Sequence, residues 1–154
     1  MISGPDDGES LWQPLPSRGY VTVKFTPANT PYEDFCAGVQ LLPPGCHIRE
    51  HGHLRNHELV FVYEGTGTVT IDDVTTPLAP GSTVLFCRDA VHRIDNTGLV
   101  DMKLFWVFMP PGFDDWFRAI GRPREPGAPM PEPFARPEDV GEIQRRMRFM
   151  PPRS

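Results

Sequence analysis

The alternation of apolar and polar residues predicts short strands through most of the chain. Tyr20-Val21-Thr22-Val23-Lys24-Phe25 sets β-branched and aromatic residues against Thr22 and Lys24 with a period of two, the signature of a half-buried strand. Phe35 to Leu42 reads as a second strand, ended by the turn signal Pro43-Pro44-Gly45. Glu58 to Tyr63 is apolar on both faces, as expected where one side lines a cavity and the other packs against a second layer or another subunit. Thr68 to Ile71, Ser82 to Phe86, Val91 to Ile94 and Asp101 to Met109 follow. Turn residues recur between them at intervals of roughly 8 to 12 residues, the spacing of an all-β sandwich or barrel.

Past Pro110-Pro111-Gly112 the period changes. Phe113, Trp116, Phe117 and Ile120 fall at i, i+3, i+4 and i+7, which predicts an amphipathic helix with Asp114 and Asp115 near its start and Gly121 closing it. This helix is expected to pack on the outside of the barrel. Residues 122–134 are rich in proline and read as an extended arm of polyproline type. A second short helix is expected from Pro137, burying Val140, Ile143 and Met147. Such an arm either wraps its own barrel or crosses to a partner, and a homodimer is expected. Residues 1–11, polar and rich in Gly, Pro and Asp, read as a disordered tail. The expected division is therefore a tail over 1–11, a β-barrel over 12–110, and a C-terminal helix, arm and short helix over 111–154.

Composition narrows the partners. The 154 residues are the size of one domain. With 39% hydrophobic and 23% charged residues a core is feasible, and a net charge of -5 argues against a nucleic-acid surface and offers no basic patch for an anionic membrane. No apolar run approaches the roughly 18 residues of a membrane helix. The amino terminus lacks the basic start and apolar stretch of a secretion signal. Cys36, Cys46 and Cys87 are odd in number and form no Cys-x-x-Cys pair, which fits a reducing compartment, so a cytoplasmic protein is expected.

The candidate chemistry is concentrated. Three of the five histidines lie between His51 and His57, and His47 lies just before them. In a strand His51 and His53 project to one side. Two neutral imidazoles make half of a metal site, and the interval to Glu58 allows a turn that returns a carboxylate to the same point. Imidazoles plus a carboxylate suit Fe, Mn, Ni, Zn or Cu rather than Ca or Mg. His57 is a chemically suitable rival to Glu58, and a surface strand with solvated histidines is the alternative to a metal site. Gln40 either faces inward, where an unpaired amide costs roughly 1 to 3 kcal/mol and calls for a partner or ligand, or faces solvent. Arg49 shares the strand parity of His51 and His53, while Tyr63 and Lys103 are polar residues in otherwise apolar strands.

Gly45, His51-x-His53, Glu58 and Gly65, followed by Gly81, His92 and Asn96, resemble the two motifs of the cupin superfamily in residues and spacing, over roughly residues 35 to 110. The resemblance implies a single double-stranded β-helix, or jelly-roll, barrel. It also implies that His51, His53, Glu58 and His92 hold one divalent transition metal. Where the second motif usually has proline and glycine this chain has Cys87 and Asp89. Asp tolerates a left-handed bend, and Cys87 reads as a small buried apolar residue or as a thiol near the metal. The function implied is a metal-dependent enzyme acting on a small-molecule substrate, a mononuclear non-haem dioxygenase of the quercetinase-like kind. The alternatives are a non-oxidative cyclase, isomerase or lyase, or a non-catalytic small-ligand-binding protein. Gln40, Arg49, Tyr63 and Lys103 are the catalytic candidates beside the metal ligands.

Overall fold

A computed structural model describes residues 1–150 of the chain. In order, the strands are β1 (Glu9–Trp12), β2 (Tyr20–Phe25), β3 (Cys36–Leu42), β4 (His47–His53), β5 (His57–Glu64), β6 (Gly67–Ile71), β7 (Val74–Leu78), β8 (Thr83–Phe86), β9 (His92–Asp95) and β10 (Met102–Met109). Then come α1 (Asp114–Ile120), β11 (Arg122–Pro123), α2 (Val140–Arg146) and β12 (Phe149–Met150). One sheet has the order β11-β1-β2-β3-β10-β5-β8, the other β12-β4-β9-β6-β7. From β3 to β10 the chain passes back and forth between the two sheets, which makes a jelly roll with an apolar core between the layers.

Period-two alternation decides what enters that core. In β10 Met102, Leu104, Trp106 and Phe108 are buried, and in the neighbouring β5 Val60 and Val62 join them. Gly38 lies opposite Trp106 in the ladder, where a Cβ would stand 2.4 Å from the indole Cζ2 and 2.3 Å from the Thr22 carbonyl oxygen. Only glycine leaves room there for the largest core side chain. Asp89 takes φ 69°, the left-handed bend expected of it. Its N–H donates to the His53 carbonyl, so the bend is tied to the histidine strand. Cys87 beside it is exposed rather than a buried apolar residue, because the same turn carries it out of the core.

The segments flanking the barrel, residues 1–11 and 111–150, pack against it more closely than their composition suggests. Glu9–Trp12, assigned to the tail and barrel edge by composition, pairs with β2. Lys24 Nζ donates to the carbonyls of Gly4, Pro5 and Asp7, which holds the segment before β1 against the sheet. At the other end β11 pairs with β1, Leu15 N–H donates to the Phe134 carbonyl, and β12 pairs with β4. The C-terminal arm thus wraps its own barrel. Helix α2 starts at Val140, with Pro137 in the turn before it, and buries Ile143 while Val140 and Met147 pack partly against the core.

Helix α1 has the predicted apolar stripe, but it covers the mouth of the barrel. Trp116, Phe117 and Ile120 are buried there. Gly121 ends it in an extended conformation, φ -88° and ψ 175°, not a left-handed one. Glycine is needed for a different reason: a Cβ would come within 2.6 Å of the Phe117 carbonyl oxygen. No helix among the described residues is long and apolar enough to cross a membrane.

Candidate metal centre

Three strands bring the chemistry-bearing side chains to one place. His51 and His53 come from β4, Glu58 from the next strand β5, and His92 from β9, where it is paired directly with His51. Gly52, between the two histidines, sits against β12, with Met150 Sδ 3.0 Å from where its Cβ would be. All four side chains are buried, and one donor atom from each lies within 4.8 Å of the others. Two donors facing each other across a transition metal at about 2.0 to 2.2 Å each would be about 4 to 4.4 Å apart, so the set needs to contract only slightly to close on an ion.

The hydrogen bonds orient the rings for this. His51 Nδ1 lies 2.8 Å from the Arg49 carbonyl oxygen and His92 Nδ1 lies 3.1 Å from that of Ala90. A carbonyl only accepts, so each ring carries its proton on Nδ1 and presents the Nε2 lone pair inward, the arrangement typical of metal-ligating histidine. His53 Nε2 and His92 Nε2 approach Glu58 Oε2 at 3.1 and 3.3 Å. The His92 contact sets a lone pair against a carboxylate oxygen, which is favourable only with a proton or cation between them. Burial, followed by the neighbouring His92 and His53 rings, pushes His51 well below its ordinary value, so it stays a neutral donor. Burial raises the affinity of Glu58 for a proton, but the hydrogen bond with His53 and the adjoining His92 ring outweigh this and hold the carboxyl well below the usual range. The residues therefore fit a divalent transition metal.

Aromatic rings fix the cluster. Phe86 stacks on His92 at 3.8 Å and 11°, Phe113 meets His53 edge-on at 4.5 Å, and Phe149 of β12 packs at 5.5 Å from His51. A cavity ends on His51 and Glu58 and is walled by Phe108, Phe113, Trp116 and Phe149.

The other sequence candidates separate by strand face. Gln40 pairs with Leu104 in the ladder and points inward, where it borders this cavity. Arg49 also borders it, as does Ile48, because the register of β4 against β9 shifts between Ile48 and His51 and both neighbours reach the same wall. Tyr63 and Lys103 do not belong with them. They lie on the outer face of the seven-stranded sheet, with Tyr63 43% exposed and Lys103 Nζ donating to Glu64 Oε2 at 2.6 Å. Parity is the cause: Tyr63 is five residues from Glu58, and Lys103 alternates with the buried Leu104. His57 likewise faces away from the cluster, its Nδ1 accepting the Arg88 N–H at 3.2 Å. Asn96 holds a turn, its Nδ2 donating to the carbonyls of Leu42 and Val100. Sequence reasoning missed Arg136 and Phe149, which reach the cavity from the arm and from β12. Neither had a local signal, but the aromatic stripe of α1 marked a wall that needed something to cover.

Comparison with known proteins gives the same lineage as the geometry. Residues 38–108 match the family described as Cupin domain. Protein SchB of Streptomyces halstedii is 36% identical over 92 residues, which are 60% of this chain and 67% of that protein. Polyketide synthase CurC of Streptomyces cyaneus is 28% identical over 92 residues, 60% of each chain. Among solved structures, a predicted oxalate decarboxylase from Thermotoga maritima superposes with a TM-score of 0.61 at 19% identity, covering 71% of this chain and 99% of that one. With its two sheets wound as a jelly roll and both motifs meeting at one buried cluster, this chain belongs to the cupin superfamily.

Proposed function

We propose that this protein is a metal-dependent enzyme acting on a small, planar, oxygenated organic molecule. The observation that carries the reading is the cavity that ends on His51 and Glu58 between aromatic walls. His51, His53, Glu58 and His92 would hold the ion, and one ligand atom from each would leave two positions of a six-coordinate ion open, the mark of a catalytic rather than structural site. When bound, the metal supplies Lewis-acid stabilisation of an enolate or phenolate oxygen or, as Fe(II), a meeting point for substrate and dioxygen. The chain's own residues do the rest. Phe113, Trp116 and Phe149, packed on one another, wall one side of the molecule and exclude water, which strengthens every charge interaction inside. Gln40 and Arg49 offer hydrogen bonds to its oxygens.

Dioxygenase chemistry is the first reading. Non-oxidative chemistry, such as cyclisation, isomerisation or lysis, is the second, and the description of the Streptomyces cyaneus relative as a polyketide synthase favours it. Protein loaded in turn with Fe, Mn, Ni, Zn or Cu is to be offered flavonoids, diketones and catechols while oxygen consumption and product formation are followed. Oxygen uptake matched to product is the expected result. Product without oxygen uptake sinks the dioxygenase reading, and tight binding without turnover sinks the enzyme.

A second copy of the chain is proposed to cover the outer sheet face, where Phe61, Tyr63 and Leu85 are 39%, 43% and 54% exposed. Light scattering is expected to give twice the 17.3 kDa of one chain, and Leu85→Glu is expected to give monomer. A wild-type monomer would remove this proposal.

A further inference from the structure

Three polar groups on the wall of the cavity have no hydrogen-bond or ion-pair partner among the described residues. Gln40 is 7% exposed, its amide borders the cavity, and it forms no side-chain hydrogen bond among the described residues. Arg49 from β4 and Arg136 from the arm are half-buried on the same cavity, and neither guanidinium has a hydrogen bond or an ion pair among the described residues. Arg93 and Arg118, by contrast, are each paired with carboxylates: Arg93 with Asp95, and Arg118 with Glu9, Asp114 and Asp115. Glu58, the acidic residue on the cavity wall, is committed to the histidines.

Two like charges left half-desolvated and unpaired are unfavourable unless something anionic comes between them. Burial and then the positive charge of Arg49 push Arg136 down to about 10, and burial lowers Arg49, yet both remain charged at neutral pH. A guanidinium is a planar fork that matches the two oxygens of a carboxylate. The slot is narrow and aromatic, which suits a flat ring carrying that group.

We propose that the molecule taken by this cavity is an aromatic carboxylate, its carboxyl group gripped by Arg49 and Arg136 and a neighbouring oxygen bonded by the Gln40 amide. This rests on the reading of the metal centre only for the far pole of the molecule, where a second oxygen meets the ion. The arm therefore contributes to specificity: Arg136 reaches the cavity because Leu15 N–H holds the Phe134 carbonyl at 2.9 Å, two residues before it.

The test compares 1-hydroxy-2-naphthoate with 1-naphthol, which differ by the carboxylate alone. Calorimetry follows their binding to wild type, Arg49→Gln, Arg136→Gln and Arg136→Lys, each metal-free and zinc-loaded, with zinc content measured in parallel. Wild type is expected to favour the naphthoate by about tenfold or more in both states. Each glutamine variant is expected to lose about tenfold in naphthoate affinity, with 1-naphthol and zinc content unchanged, and Arg136→Lys to fall between. The unchanged 1-naphthol affinity reports that the variants are folded. Naphthoate affinity indifferent to both arginines overturns the proposal, as does failure of wild type to bind the naphthoate. A preference that appears only with zinc and survives both substitutions puts the carboxylate on the metal, overturning the arginine clamp while leaving the metal centre intact. Protein that takes up no zinc yet keeps an arginine-dependent preference fails the metal reading and supports the clamp.

Discussion

Protein carrying both His51→Ala and His92→Ala is expected to contain essentially no transition metal when purified without a histidine tag, against close to one ion per wild-type chain. Both rings have Nδ1 bound to a backbone carbonyl and face each other across the β4–β9 pair, with centroids 4.4 Å apart. Removing them leaves His53 and Glu58, one imidazole and one carboxylate, too few to hold an ion against water. Losing even the outer partner of a ligand weakens metal binding by about 10 to 100-fold, so losing two ligands exceeds that for each. Elemental analysis reads the result. Thermal unfolding supplies a second reading, because an ion that binds only the folded chain stabilises it by about 2.7 kcal/mol at 100 times its dissociation constant. Wild type is expected to gain that shift on adding metal and the double variant to gain none. Glu58→Gln is expected to fall between, since it keeps three imidazoles but removes the charge that balances the ion. Unchanged metal content in the double variant would end the assignment of this site.

Trp106→Ala is expected to cost about 3 to 5 kcal/mol of folding stability. Trp106 is 2% exposed, fills the space left by Gly38, and touches Phe108 and Phe117 at ring distances of 5.3 and 5.2 Å. It thus joins the barrel core to the helix over the mouth. A domain has only about 5 to 15 kcal/mol in total, so the melting temperature is expected to drop by roughly 6 to 20 °C at about 2 to 4 °C per kcal/mol. Its Nε1 has no hydrogen-bond partner among the described residues. Trp106→Phe therefore loses volume but no hydrogen bond, and is expected to cost much less. Urea unfolding of both variants checks this, and a cost below about 1 kcal/mol for the alanine variant would show that the layers close up around the gap.

Much of the outer-face assignment was already available in the alternation of residues. With Glu58 directed inward, a period of two sends Val60 and Val62 in and Tyr63 out, and Lys103 out where Leu104 goes in. Counting parity from the proposed ligand would have removed Tyr63, and the alternation of Lys103 with Leu104 would have removed Lys103. The same rule was not sufficient within β4, where an irregular register lets Ile48 reach the cavity wall beside Arg49. Gln40 was open for a different reason: Val39, Leu41 and Leu42 surround it with apolar residues on both faces, and its direction followed from pairing with Leu104 on a strand some sixty residues away.

Local order was therefore contained in the chain's own pattern. The strands, the stripe of α1, the left-handed bend at Asp89 and the spacing of the histidine and glutamate positions depend on neighbours a few residues apart, and steric and hydrophobic preferences act at that range. Closure of the cavity was decided only in three dimensions. Phe149 lies against His51, Arg136 lies near Arg49, and α1 lies over the mouth through contacts between segments far apart in the chain. Nothing in a proline-rich arm specifies where it docks; that depends on an apolar mouth left uncovered by strands that fold elsewhere.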